Sequence, residues 1–422
     1  MQDKAAAAKN ASEILQTASA SARNDALLGI AEALDRNRAA IEEANAKDIA
    51  AAQAAALAAP LVKRLAFSGA KICAAIEGLR ALAALPDPLG LVRSATELAP
   101  GLVLRRVTCP IGVIGVIFES RPDALVQISA LCLKSGNACL LKGGSEALNT
   151  NRALAGIIRD ATQSRLPSGW MQLLETRADV ADMLALDDHI DLLIPRGSNA
   201  FVKHIMDNTR IPVMGHADGI CHVYVDADAD VKMAAAVAAD SKCQYPAVCN
   251  AAETLLVHAD IAREFLPVLK EALDAKKCEI RGCERTRAII PCSPATDADW
   301  GEEYLDLILA VKIVGSAAEA VAHINKHGSG HTDTIVTANA QTAETFMDTV
   351  DSADVFWNCS TRFADGFRYG LGAEVGVSTS KLHARGPVGL DGLCSYKWKL
   401  AGNGHTVAPF ADGSAKFTHK SL

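Results

Sequence analysis

The sequence predicts an α/β fold of two doubly wound units. Strands alternate with helices from residue 102 onward, most strands are short apolar runs, and glycine-bearing turns follow two of them. Alternation of this kind implies parallel sheets joined by right-handed crossovers. Residues 1 to about 85 come first. They are alanine-rich, with charges at helical spacing and few glycines, so three or four surface helices are expected. Pro86-Asp87-Pro88 ends them, because proline disfavours helix at and before itself. The first unit reads as strands at 102–107, 111–118, 138–142 and 190–194, with helices at 124–134, 146–164 and 199–206. The second begins near Cys221, with strands at 222–225, 254–258, 310–314, 334–337 and 355–357 and helices at 231–241, 261–276 and 317–326. Residues 366–392 are glycine-rich without periodicity, and the tail carries β-like pieces such as Tyr396-Lys397-Trp398.

At 422 residues, the length suggests two large domains or three of about 150 residues. Half of the residues are hydrophobic and 22% charged, which supports a sizeable core and excludes a disordered or collagen-like chain. The net charge of -7 argues against a nucleic-acid partner, while a small anion held by a few arginines fits. The first residues lack a basic stretch followed by an apolar one, so no signal peptide is expected. The longest uncharged stretch, 107–118, is too short for a bilayer and holds Pro110, Gly112 and Gly115, so no membrane partner is expected. The 12 cysteines form no Cys-x-x-Cys pair, which points to reduced core thiols in a cytoplasmic chain.

Five segments are candidates for chemistry, two of them weaker. Gly143-Gly144-Ser145 follows a strand and opens a helix, where backbone N–H groups attract a dinucleotide phosphate. Lys142 at the strand end can reach a ribose hydroxyl or phosphate; a purely structural turn explains the same glycines. Arg196-Gly197-Ser198-Asn199 repeats the arrangement, as suits a nucleotide lying across a sheet edge, though neither loop is the full Gly-x-Gly-x-x-Gly. Cys249, in Gln244-Tyr245-Pro246-Ala247-Val248-Cys249-Asn250-Ala251, lies on a turn between helix and strand. Backbone N–H groups there could stabilise a thiolate and hold an oxyanion, while spacing alone favours one more buried core thiol. His216, His222, His383 and His405 lack metal-ligand spacing, and no metal is expected. Ser360-Thr361-Arg362 and His383-Ala384-Arg385-Gly386-Pro387 offer guanidiniums for a carboxylate or phosphate, or solvated surface charge.

Taken in order, residues 110–122, 133–138 and 142–146 resemble the aldehyde dehydrogenase superfamily. So do Ile194-Pro195-Arg196-Gly197, residues 246–254, Asn358-Cys359-Ser360-Thr361-Arg362-Phe363, and residues 370–376 and 382–387. The resemblance is to the branch that reduces an acyl phosphate. It implies reduction of L-glutamyl 5-phosphate to L-glutamate 5-semialdehyde by NADP(H), with release of phosphate, in proline synthesis from glutamate. Cys249 would form a thioacyl-enzyme, with Asn250, Arg121, Ser360, Thr361, Arg362 and Arg385 at the oxyanion or substrate. Lys142, Gly143, Gly144, Ser145 and Glu146 would bind the adenine-side ribose and its 2′-phosphate, Gly197 and Ser198 the pyrophosphate, and Glu303 the nicotinamide ribose.

The resemblance also implies an organisation. Residues 1–220 would form the cofactor-binding domain, 221–362 the catalytic domain, and 363–394 a return to the cofactor domain and cleft. Residues about 90–110 with 395–422 would form a β-flap that joins subunits into a homodimer or homotetramer. The upstream glutamate kinase is a further expected contact. Two departures stand out. Hydrolytic relatives carry Glu-Leu-Gly-Gly where this chain has His216-Ala217-Asp218-Gly219, and loss of that general base favours a thioester that persists. The superfamily's Pro-Trp-Asn is here Glu119-Ser120-Arg121-Pro122, which leaves the oxyanion hole to backbone N–H groups. A non-phosphorylating dehydrogenase, or a cysteine acyltransferase without nicotinamide, stays open as an alternative.

Overall fold

The computed structural model describes every residue except Ser120 and Ala217, and Pro60 by its backbone alone. Five helices, not three or four, occupy the start of the chain: Gln2–Leu15, Ala20–Arg36, Arg38–Ala54, Ala59–Leu65 and Ala70–Ala84. They are not mere surface decoration either. Ala5, Ala8, Ala11 and Leu15 are fully buried on one face of the first helix, at helical spacing. Their small side chains let that helix lie close on the first sheet, where Lys4 Nζ reaches the Leu173 carbonyl at 2.9 Å.

The first sheet has four parallel strands in the order Met171–Leu174, Ala138–Lys142, Val113–Ile117, Leu192–Pro195. Its two central strands are buried at every position, which is why they read as unbroken apolar runs. The strand Met171–Leu174 and the helix Arg177–Leu184 are additions to the sequence reading, too short to show periodicity. The chain moves outward from Val113–Ile117 through two strands and then returns to that strand's other side. This leaves a switch point between Val113–Ile117 and Leu192–Pro195, with a crevice at the carboxyl ends of both.

The second sheet has seven parallel strands in the order Ser293–Pro294, Glu279–Gly282, Ile308–Val314, Ala252–His258, Cys221–Val225, Thr332–Val336, Asp354–Trp357. A separate core packs around it, including Phe265, Leu266, Leu269 and Val311. Val375, Val388 and Leu393, late in the chain, belong instead to the first core.

Strands Val92–Ala99, Leu102–Pro110, Cys394–Ala401 and Lys420–Ser421 make a third, antiparallel sheet. The pair from Cys394 opposite Pro110 to Ala401 opposite Val103 is continuous, and beyond Cys394 the strand Cys394–Ala401 is exposed throughout.

Candidate active site

A cleft of about 1670 Å³ lies between the two lobes. One wall is the carboxyl edge of the first sheet, with Arg196, Gly197, Ser198 and Asn199 at the switch point. The other is the amino edge of the second sheet, with Ala247, Val248 and Cys249 ahead of the strand Ala252–His258. Lys63, Arg64 and Lys71 from the N-terminal helices, together with Arg121, add positive charge to its rim.

The Cys249 loop is pinned at several points. Thr361 Oγ1 donates to the Asn250 carbonyl at 2.7 Å, Asn250 Nδ2 to the Ala364 carbonyl at 2.7 Å, and Cys221 Sγ to the Cys249 carbonyl at 3.2 Å. Gly219 sits against the Cys249 backbone so closely that a Cβ would collide with its Cα and carbonyl. Burial, then the negative charges of Glu303 and Glu374, push the Cys249 thiol up to about 12, against the pull of Arg196. The turn predicts a thiolate stabilised by backbone N–H groups; a backbone hydrogen bond does pull the thiol pKa down, but burial outweighs it.

Glu303 lines the cleft and accepts from Asn199 Nδ2 at 2.9 Å and from the Gly219 N–H at 3.0 Å. Asn199 also donates to Asp218. Glu374, a cleft residue that sequence reasoning left without a role, accepts from the Gly366 N–H at 2.8 Å. Burial raises the pKa of both carboxyls. Arg196 and Glu374 stand as charges beside glycines, which is the signal the sequence carries for them.

Several expected site residues do structural work or lie off the cleft. Ser360 and Thr361 are buried, with Ser360 Oγ accepting from the Arg362 N–H at 3.2 Å. Arg362 gives Nε to Gln244 Oε1 at 3.0 Å and lies within electrostatic reach of Cys249. Arg385 is paired with Asp351 Oδ1 at 3.0 Å and is not among the residues lining the cleft. Lys142, Gly143, Gly144, Ser145 and Glu146 do not line the cleft. Lys142 is nearly buried and its Nζ donates to the Gly143 carbonyl at 2.6 Å.

Three strands of the second sheet start side by side at Ala252, Cys221 and Thr332. The segments leading into them carry Cys249, His216 and His331. Sequence spacing could not join these residues, but the fold brings their thiol and ring nitrogens within 4.8 Å of one another. That spread is wider than the roughly 3.5 Å separating thiolate and imidazole donors around a tetrahedral zinc ion. The His216 and His331 rings meet edge to face with centroids 4.8 Å apart.

A model of the aldehyde dehydrogenase family matches residues 1–305. The whole chain is 60% identical to a protein of Pelotomaculum thermopropionicum named gamma-glutamyl phosphate reductase and covers 98% of it. It is 54% identical to the protein of that name in Natronomonas pharaonis, over 99% of this chain and 96% of that one. The crystal structure of gamma-glutamyl phosphate reductase from Thermotoga maritima superposes with a TM-score of 0.94 at 43% identity, covering 96% of this chain and 99% of that one. An acetylating aldehyde dehydrogenase from Geobacillus thermoglucosidasius, 15% identical with a TM-score of 0.64 over 96% of this chain and 97% of its own, shares the fold.

Proposed function

The chain belongs to the aldehyde dehydrogenase family, as an oxidoreductase of its gamma-glutamyl phosphate reductase group, and on that premise we propose that it reduces L-glutamyl 5-phosphate with NADPH through a thioester on Cys249. One observation carries the reading: Cys249 lines the same cleft as the Arg196–Asn199 turn and the Glu303 carboxylate. An acyl phosphate is already activated, so a thiolate displaces phosphate without a strong acid. Sulfur then departs as a thiolate when the aldehyde forms.

The residues present fit a nicotinamide nucleotide. The Glu303 carboxylate, fixed by Asn199 and Gly219, is placed to accept from a ribose hydroxyl. Ser198 precedes the helix Asn199–Asp207 without using its side chain as a cap, which leaves that hydroxyl for a phosphate oxygen. The nicotinamide supplies the hydride that reduces the thioester. Lys142 and Ser145 lie outside the cleft lining, at the carboxyl end of the strand Ala138–Lys142, and the preference for NADP(H) requires the nucleotide to extend along that sheet edge to them. Arg196, Arg121 and the lysines of the N-terminal helices suit the phosphate and carboxylate of the substrate.

The test is NADP+ reduction with glutamate 5-semialdehyde, with and without inorganic phosphate. Phosphate-dependent turnover that prefers NADP+ to NAD+ is expected. Turnover indifferent to phosphate would mean a non-phosphorylating dehydrogenase, and equal efficiency with the two nucleotides would refute the 2′-phosphate contact.

A further inference from the structure

We propose that His216, standing where hydrolytic relatives carry their glutamate, takes the proton of the Cys249 thiol and keeps it while the thioester lasts, so that it does not activate water then, and that His331 positions its ring. This rests on Cys249 as the nucleophile and adds the proton acceptor which that role requires. With the thiol held near 12 by burial, only about one molecule in 10⁵ would carry a thiolate at pH 7 without help. Glu303 is committed to Asn199 and the Gly219 N–H, and Glu374 to the Gly366 N–H. His216 lines the cleft with Cys249, its Nδ1 is buried, and its ring is touched by a backbone hydrogen bond at Asp218 but by none from a side chain among the described residues.

Tertiary structure sets the ring in place from behind. His331 is fully buried, its Nδ1 bonds Thr332 Oγ1 at 2.7 Å, and its ring packs edge-on against His216. The Ile220 N–H donates to Ser329 Oγ at 2.9 Å, which ties the His216 segment to the His331 segment. Burial lowers the pKa of both imidazoles. A neutral His216 can accept a proton at pH 7. The groups facing this site are Arg196, Asp218, His331, Glu303, Glu374 and Arg362, and Arg196 lowers the His216 pKa further. The thiol and ring nitrogens lie within 4.8 Å of one another, and catalytic contacts are often long before substrate binds.

The step balances. The S–H bond breaks and an N–H bond forms on His216. The sulfur lone pair forms the S–C bond, and the C–O bond to phosphate breaks with its pair leaving on oxygen, to be protonated by water. When the reduced adduct collapses, the C–S pair returns to sulfur and the imidazolium gives its proton back.

The test is alkylation of the full-length enzyme by iodoacetamide across pH, with a chelator present and the adduct mapped by mass spectrometry. In the wild type the adduct should map to Cys249, with a rate that falls at acid pH as His216 becomes protonated, below its ordinary value of 6.5. His216→Gln should slow alkylation at pH 7 by about a hundredfold and erase the acid limb, with NADPH binding by fluorescence retained. Added imidazole should restore part of the rate. His331→Gln should shift the limb and slow alkylation less. An unchanged rate and profile in His216→Gln overturns the proposal. If His216→Gln loses NADPH binding, an unmoved limb in His331→Gln overturns it instead. An adduct on another cysteine of the wild type sinks the nucleophile reading itself, which separates the two failures.

Discussion

Sulfur at position 249 is the one side chain for which the proposed chemistry allows no exchange. A serine hydroxyl is un-ionised at neutral pH, and its alkoxide leaves poorly. Cys249→Ser should therefore cut reductase activity by on the order of 10³-fold or more while NADPH binding persists. Cys243, six positions earlier, packs against the second core, and its thiol interacts with Cys278. Cys243→Ser should keep most activity; steady-state rates of both variants decide the assignment, and the reverse pattern would reject it. A second residue-scale feature lies behind Glu303. Lys242 Nζ and Glu253 Oε2 are 2.5 Å apart with both side chains fully buried, and burial still pushes Glu253 up to about 7. Lys242→Met leaves that carboxyl without its cation and with only a backbone hydrogen bond at Leu305, so a loss of about 3–5 kcal/mol is expected in urea unfolding. A loss under 1 kcal/mol would mean that Glu253 is stable as the neutral acid.

Elements hold the site by bracing one another across long sequence distances. The helix Leu148–Thr162 starts just beyond the Gly143–Gly144 turn and carries no capping side chain of its own. Asp48, from the helix Arg38–Ala54, supplies the cap. Its carboxylate accepts from the Thr150 N–H at 2.8 Å, from Thr150 Oγ1 at 2.6 Å and from the Asn149 N–H at 3.1 Å. A carboxylate at that end also meets the positive pole of the helix. Asp48→Ala should lower stability by about 1–3 kcal/mol by denaturant titration, and Asp48→Asn by less. Equal losses in the two would assign the effect to charge alone. This brace explains why the N-terminal helices are more than a surface layer, a role that alanine-rich composition conceals.

At the scale of the whole molecule, the carboxyl edge of one sheet faces the amino edge of the other, and the third sheet stands apart. Tyr396, Trp398 and Leu400 project from the strand Cys394–Ala401 at 53%, 57% and 56% exposure, with the Arg106 guanidinium 4.9 Å from the Tyr396 ring centre. An apolar row of this kind on a free sheet suits a second copy of the chain. Trp398→Asp with Leu400→Asp should reduce the mass seen by light scattering to that of a single chain, with far-ultraviolet dichroism unchanged. An unaltered mass would place the subunit contact elsewhere.

Much of this was legible in the sequence because it is local. An apolar run gives the buried strand at 138–142 to the residue, and that at 252–258 from its third residue, since strands buried on both faces show little polar alternation. Cys249 stood out by its turn, and the order of the segments already pointed to the family. Local patterns could not say which guanidinium meets the cleft. Arg385 has the glycine and proline of a binding loop yet pairs with Asp351, while Arg196 reaches the cleft because its strand ends at the switch point. Nor could they join His216, Cys249 and His331, which stand far apart in sequence and meet because three parallel strands begin side by side. A side chain's neighbours along the chain determine its element, but the order of strands in the sheet determines its partners, and that order is set only when the two cores close.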